Sequence, residues 1–197
     1  MIVEPVVLEG ENVRLEPLAL RHADDLLMAA QEPGIWLFMP ADPSRSLDGM
    51  KEWIAETISA QSAGTILPFA IVDQGNGRAV GSTRYLDIRP EHRGLEIGWT
   101  WLGREARRTP INTECKYLLL RHAFETLGAI RVQLKTDERN IRSQTAIERI
   151  GGIREATLRH HMIMPDGFRR NTVYFSILEA EWPAVKERLE GMLKRNK

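Results

Sequence analysis

Two arginines stand directly before a run that reads as the opening of a helix: Arg107-Arg108-Thr109-Pro110-Ile111-Asn112-Thr113. A helix N-terminus presents unpaired backbone N–H groups and the positive end of the macrodipole, so it attracts anions. Arg107 and Arg108 add charge there, and Thr109, Asn112 and Thr113 add neutral donors, a combination that fits a doubly charged pyrophosphate. A capped helix explains the same residues equally well, with Thr109 as N-cap, Pro110 at the first helical position and both arginines in solvent. A little upstream, Glu96 interrupts the apolar run Leu95-Glu96-Ile97-Gly98-Trp99-Thr100-Trp101-Leu102. A carboxylate in such a strand is costly unless it is paired or employed. Its two readings are a proton-accepting base and an ion pair to a nearby cation such as Arg84. His160-His161 has the residue type for a metal, but neighbours on a strand face opposite ways and no third ligand has suitable spacing, so no metal site is expected.

The elements that must position these groups follow from periodicity. Residues 13–18 alternate as a strand, 22–30 read as a short helix stopped by Pro33-Gly34, and 46–62 form a helix with Ser46 as its N-cap. Strands over 66–73 and 78–88 are joined by Gln74-Gly75-Asn76-Gly77, a hairpin turn whose residues tolerate positive φ. A third strand covers 95–102, its alternation setting Glu96, Gly98 and Thr100 against Leu95, Ile97, Trp99 and Trp101. The strongest helix, 112–127, carries Cys115, Leu118, Leu119, Ala123 and Phe124 on a broad apolar face and ends at Gly128. Cys115 thus reads as a core residue. A strand at 130–135, a helix at 141–150, strands near 153–162 and 171–178 with Pro165-Asp166-Gly167 between them, and a helix at 181–193 complete the order. The result is a mixed α/β chain in which an antiparallel meander feeds one strand–helix–strand crossover.

Bulk properties narrow the function classes. The chain has 197 residues, 43% hydrophobic and 27% charged, in the range of one soluble globular domain over residues 1–197. Basic and acidic residues balance at 27 each, with none of the excess charge that non-specific nucleic-acid binding calls for. One cysteine permits no internal disulfide and suits a reducing compartment. No signal peptide and no apolar run long enough to span a membrane are visible, so a cytoplasmic location is expected.

Two spaced motifs carry a resemblance that covers nearly the whole chain. Arg107-Arg108-Thr109-Pro110-Ile111-Asn112 sits where a phosphate-cradling R-x-x-G-x-G/A loop would. Asn140, Ser143, Ile147 and Gly151 match the spacing of N-x-x-A-x-x-x-Y-x-x-x-G. In this order the chain resembles the GNAT superfamily of acyl-CoA-dependent N-acetyltransferases, and within it the RimJ/RimL-type branch. The resemblance implies a central, mostly antiparallel, splayed sheet of about six to seven strands flanked by helices. It implies direct acetyl transfer from acetyl-CoA to an amine: a small molecule, or a peptide or protein N-terminus. Coenzyme A would lie against Trp99, Thr100, Trp101 and Leu102 of the splayed strand, the loop and helix start Arg107, Arg108, Thr109, Pro110, Ile111, Asn112 and Thr113, and Asn140, Ser143 and Arg149 of the later helix. Glu96 would be the base. Trp36, Phe38, Met39 and Phe168 would frame the acceptor, and relatives that pair imply a homodimer. Two residues depart from the pattern. Pro110 removes one backbone donor, and Ile147 replaces a tyrosine that serves in relatives to protonate the leaving thiolate. Ser143, one helical turn earlier, is the substitute by position, or simply part of the helix cap. The missing tyrosine leaves a non-catalytic CoA sensor as the alternative.

Overall fold

The computed structural model describes residues 1–32 and 34–195; Pro33, read above as part of the stop after the first helix, lies outside them. Eight strands form one sheet in the order β1-β2-β3-β4-β5-β6-β8-β7. They are β1 (Leu8–Glu9), β2 (Val13–Pro17), β3 (Leu67–Asp73), β4 (Ala79–Arg89), β5 (Gly94–Leu102), β6 (Arg131–Asp137), β7 (Ile153–Ile163) and β8 (Arg169–Leu178). The helices are α1 (Ala23–Ala29), α2 (Leu47–Gln61), α3 (Ile111–Arg121), α4 (Ile141–Arg149) and α5 (Trp182–Lys194). Every strand pair is antiparallel except β5 with β6. The expected count of six to seven strands is exceeded because β1, only two residues long, carries no periodic signal. β1 pairs with β2, and the turn between them is fixed from afar: the Glu114 carboxylate of α3 accepts the backbone N–H groups of Glu11, Asn12 and Val13 at 2.6–2.9 Å.

Local chemistry fixes the element ends. Ser46 caps α2 by accepting the Gly49 N–H at 3.0 Å. The β3–β4 hairpin closes on Asp73, which accepts from Gly75 and Asn76, while Gly77 takes φ +73°. After α3 the chain runs through a π turn, His122–Thr126, to Gly128 at φ +67°.

The sheet has two covered faces. One packs against α3, α4 and α5, burying Tyr85, Leu95, Ile97, Cys115, Leu118, Leu119, Val132, Phe175 and Leu189. Tyr85 is fully buried and donates to the Leu119 carbonyl at 2.6 Å, bolting β4 to α3. The other face carries α1 and α2 over β2 to β5, burying Leu26, Met50, Trp53, Ile54, Val72 and Trp101. Over β6 and β8 that second face is not roofed by a helix among the described residues, and its polar residues form the wall described next.

β5 departs from simple alternation. Arg84 of β4 pairs with Gly98, but Ser82 pairs with Trp101, so β5 carries one extra residue in a bulge, and Trp99 has φ +50°. The bulge corrects the faces expected from sequence. Thr100 turns toward α3, where its hydroxyl accepts from the buried Lys116 at 2.6 Å, and Trp101 turns toward α2. Glu96, Gly98, Trp99 and Trp101 therefore share the α2 face.

Candidate active site

β5 and β6 pair in parallel only through Gly94, Leu95 and Glu96, opposite Arg131, Val132 and Gln133. Beyond Glu96 the two strands part: β6 continues to Asp137 against β8, while the bulge twists β5 away. The edge of β5 from Ile97 to Leu102 has no strand on that side among the described residues, so its main-chain groups as far as Trp101 are open to a partner, while the Leu102 carbonyl is taken by Arg107. Such an edge pairs naturally with an extended amide-bearing ligand.

Glu96 sits where the strands diverge. It is 1% exposed, and its Oε2 accepts from Gln133 Nε2 at 2.8 Å and from Lys135 Nζ at 3.1 Å. Burial pushes its pKa up; the Lys135 charge and the Gln133 and Lys135 hydrogen bonds pull the other way without cancelling the rise. The ion-pair partner is thus Lys135 of β6, not Arg84 as the sequence suggested. A carboxylate with a raised pKa at the end of an open cleft can accept a proton from an incoming nucleophile.

The unroofed face beside it is lined by groups that the sequence did not single out. Asp137, 1% exposed, holds Arg139 in a bidentate pair and faces Arg170. Burial works to raise the Asp137 carboxyl, but the hydrogen bonds and charge of Arg139, with Arg170 behind, outweigh it and leave the pKa lowered. Arg170 donates to the Phe38 carbonyl at 3.3 Å, and the Arg139 guanidinium lies 3.6 Å from the Phe168 ring centroid and 5.6 Å from that of Phe38. Tyr174 and His161 continue this polar row along β8 and β7. Phe38 and Phe168 are thus brought together at the rim. Trp36 and Met39, both half-buried, pack against the α2 core: the Trp36 ring lies 5.2 Å from Trp101 at a tilt of 56° and donates to the Ala30 carbonyl.

The other end of the cleft is built by the loop before α3 and the start of α4. α3 begins at Ile111, with Pro110 already at helical φ and ψ in the cap position; Thr109, expected as N-cap, still accepts the Ile111 N–H at 3.3 Å. Arg107 donates to the Leu102 carbonyl at 3.0 Å and to Glu32 at 3.2 Å, welding the loop to β5. Arg108 takes φ +60° with its side chain exposed. Asn140 caps α4 by accepting the Ser143 N–H at 3.1 Å, so the cap uses the Ser143 main chain and leaves its hydroxyl uninvolved. Thr113 and Arg149 meet at 3.1 Å, tying the first turn of α3 to the last of α4. Ile147 is buried in the core. A cavity of about 370 Å³ lies between the two loops, lined by Glu32, Phe38, Arg107, Arg139, Asn140 and Arg142 among others. Arg107 has its pKa lowered chiefly by burial and then by the charge of Arg142, with Glu32 opposing; three arginines against one glutamate leave the lining net positive. A wider hollow of about 630 Å³, lined by Thr157, Leu158, Arg159, His160 and Asn171, lies at the β7–β8 margin where β7 bulges; it holds no carboxylate and no paired acid and base.

Cys115 is fully buried, with its thiol pushed up to about 11 by burial, which leaves it inert as a nucleophile. Among the described residues no cluster of His, Cys, Asp and Glu could hold a metal, and no helix is long and apolar enough to cross a membrane.

Comparison with known proteins bears on this geometry. Residues 12–153 match the family model described as "Acetyltransferase (GNAT) domain". The chain is 30% identical over 176 residues to "Putative ribosomal N-acetyltransferase YdaF" of Bacillus subtilis (strain 168), covering 87% of this chain and 92% of that protein. Its fold superimposes on an acetyltransferase crystal structure from T. thermophilus with a TM-score of 0.88 and 39% identity, covering 98% of this chain and 100% of the other. It superimposes on a GCN5-related N-acetyltransferase from Brucella melitensis with a TM-score of 0.92 and 29% identity, covering 98% and 87%.

Proposed function

The chain belongs to the GNAT family of acetyltransferases, and on that premise we propose that it transfers the acetyl group of acetyl-CoA directly to a primary amine, either a peptide or protein N-terminus or a small amine. The observation that carries this reading is the open edge of β5 with a buried, raised-pKa carboxylate at its closed end. The name of the Bacillus subtilis relative, a ribosomal N-acetyltransferase, favours a protein amine among these acceptors.

Coenzyme A supplies the acetyl group as an activated thioester. The residues present fit it. The free edge of β5 offers main-chain partners for the pantetheine amides along Trp99, Thr100, Trp101 and Leu102. The first-turn N–H groups of Asn112 and Thr113, flanked by Arg107, Arg108 and Arg142, form an anion cradle at the far end of the cleft. Pro110 gives up one donor there, and the neighbouring arginines make up the charge. A β5 N–H donating to the thioester oxygen polarises the carbonyl. Glu96 removes the proton from the acceptor ammonium, or from the amine as it attacks, and the Lys135 charge favours the ionised form of the carboxylate. Ile147 cannot protonate the departing sulfur. The Ser143 hydroxyl, free of the helix cap, is the donor on that helix. A thiol of pKa about 8.5 also leaves without one.

Thermal unfolding with acetyl-CoA, desulfo-CoA and ATP, together with amine-dependent release of free CoA thiol, tests the reading. A ligand at about 100 times its dissociation constant stabilises the native state by roughly 2.7 kcal/mol. Stabilisation by both CoA ligands but not ATP, with thiol release that requires an amine, is expected. Stabilisation without thiol release across a broad amine panel would leave a CoA-binding sensor.

A further inference from the structure

Arg84 of β4 is a buried cation with no anion beside it among the described residues. It is 7% exposed, and neither its Nε nor its Nη2 has a hydrogen-bond partner there. Its guanidinium carbon lies 4.5 Å from the Trp99 ring centroid and 5.6 Å from that of Trp53. The indoles offset part of the cost of burying the charge but accept no conventional hydrogen bond. A third orphaned donor belongs to the same cluster: Trp101 Nε1 is buried without a partner, and its ring lies 6.5 Å from Trp53. Buried donors left unpaired are rare and costly, and here all three unsatisfied atoms are donors. The missing group must therefore accept hydrogen bonds.

The chemistry of that group follows from which atoms are free. Nε and Nη2 form the side-on edge of a guanidinium, the fork that takes the two oxygens of one carboxylate. The flanking indole rings favour a flat group. The location ties it to the reaction: Arg84 pairs directly with Gly98, and Glu96 is the next residue of β5 on the same face. Gly98 keeps the ground between them open, since a Cβ there would come within 2.9 Å of Glu96 Oε1.

We propose that Arg84, flanked by Trp53 and Trp99, binds a carboxylate of the acceptor, so that the amine to be acetylated carries a carboxylate a few bonds away. This rests on the N-acetyltransferase reading and names its substrate class. The carboxylate has two sources, the α-carboxylate of a free amino acid or the side chain of an aspartate or glutamate following the N-terminal residue of a peptide.

The test uses the full chain with saturating acetyl-CoA and acceptors in matched pairs. Amino acids are set against their amides, and amidated dipeptides with Asp or Glu second against those with Asn or Gln second. In one pair the carboxylate member is expected to have a kcat/KM roughly 10- to 100-fold higher, the value of a charge-assisted bidentate bond. Arg84→Gln should erase that preference through KM with the CoA affinity retained, and Arg84→Lys should restore part of it. The pair that discriminates identifies the source. A second readout needs no turnover: indole fluorescence of the desulfo-CoA complex titrated with N-acetyl amino acids and their amides should respond to the carboxylates in the native protein and not in Arg84→Gln. Amines acetylated with equal efficiency in both pairs overturn this inference and leave the enzymatic reading intact. Arg84-dependent carboxylate binding without acetylation of any amine does the reverse. Neither carboxylate binding nor acetylation of any amine removes both.

Discussion

Lys135→Met separates a working base at Glu96 from a merely structural ion pair. The native carboxylate has two partners, Gln133 at 2.8 Å and Lys135 at 3.1 Å, and only Lys135 carries charge. Removing it takes away the main influence that lowers the Glu96 pKa, while the burial that raises it stays. The acid limb of kcat/KM against pH, which reports deprotonation of the free enzyme's base, must then move to higher pH. In Glu96→Gln that limb must vanish, with turnover lower by roughly 10²- to 10⁴-fold and CoA affinity intact. Stability gives an independent reading. A carboxyl with a raised native pKa holds its proton longer in the folded than in the unfolded state. Its contribution to stability therefore falls as pH rises from the unfolded value toward the folded one. Breaking a buried pair costs about 3–5 kcal/mol. Lys135 is 24% exposed and the pair is not fully dry, so about 2–3 kcal/mol is the better figure above neutral pH. For a chain of this size that lowers the midpoint by about 4–12 °C. The loss must shrink as pH falls and the carboxyl protonates. Glu96→Gln strands only Lys135, whose ammonium can turn to water, and should cost about 1 kcal/mol or less. An acid limb that stays put or moves down in Lys135→Met, or full turnover in Glu96→Gln, refutes the assignment of Glu96 as base.

Three further outcomes follow from the geometry. Asn140→Ala loses the α4 cap and about 1 kcal/mol, seen as a lower midpoint. Ser143→Ala should leave the midpoint unchanged and lower kcat modestly; a stability loss equal to that of Asn140→Ala would make it a capping residue only. Arg108→Ala, at an exposed side chain, should weaken CoA binding roughly fivefold without changing the midpoint, whereas Arg107→Ala should reduce both, because it also frees the Leu102 carbonyl and Glu32; CoA titration beside thermal unfolding checks the pair. Cys115→Ala should retain turnover within about twofold at a cost of about 1 kcal/mol in stability, and loss of activity would point to a thiol intermediate.

The limit of sequence reasoning lies at one residue of β5. Periodicity located seven of the eight strands and the helices because each buries one face, although the helix expected over 112–127 leaves α geometry after Arg121 for a π turn; turn chemistry at Gly77 and Gly128 marked element ends. Period-two logic then carried Thr100 and Trp101 to the wrong faces, since a bulge adds a residue with no change in composition that would announce it. That bulge is also what opens the cleft and turns Trp99 and Trp101 to the side of Arg84. The polar wall escaped notice for a related reason. Gln133 and Lys135 read as the polar face of an alternating strand that was expected to end at 135, and only the arrival of β8, with Thr172, Tyr174 and Ser176 in register, extends that strand to Asp137 and makes the face a shared interior. The signal was present as polar residues at every second position in both strands, but strand pairing is not local and one sequence does not reveal it. Glu96 was legible because a carboxylate in an apolar strand demands a partner. The partner itself was not, because Lys135 reaches it only across the one parallel junction of the sheet. The chemistry is thus concentrated where local rules break: a bulge, a parting pair of strands, and an arginine buried without its anion.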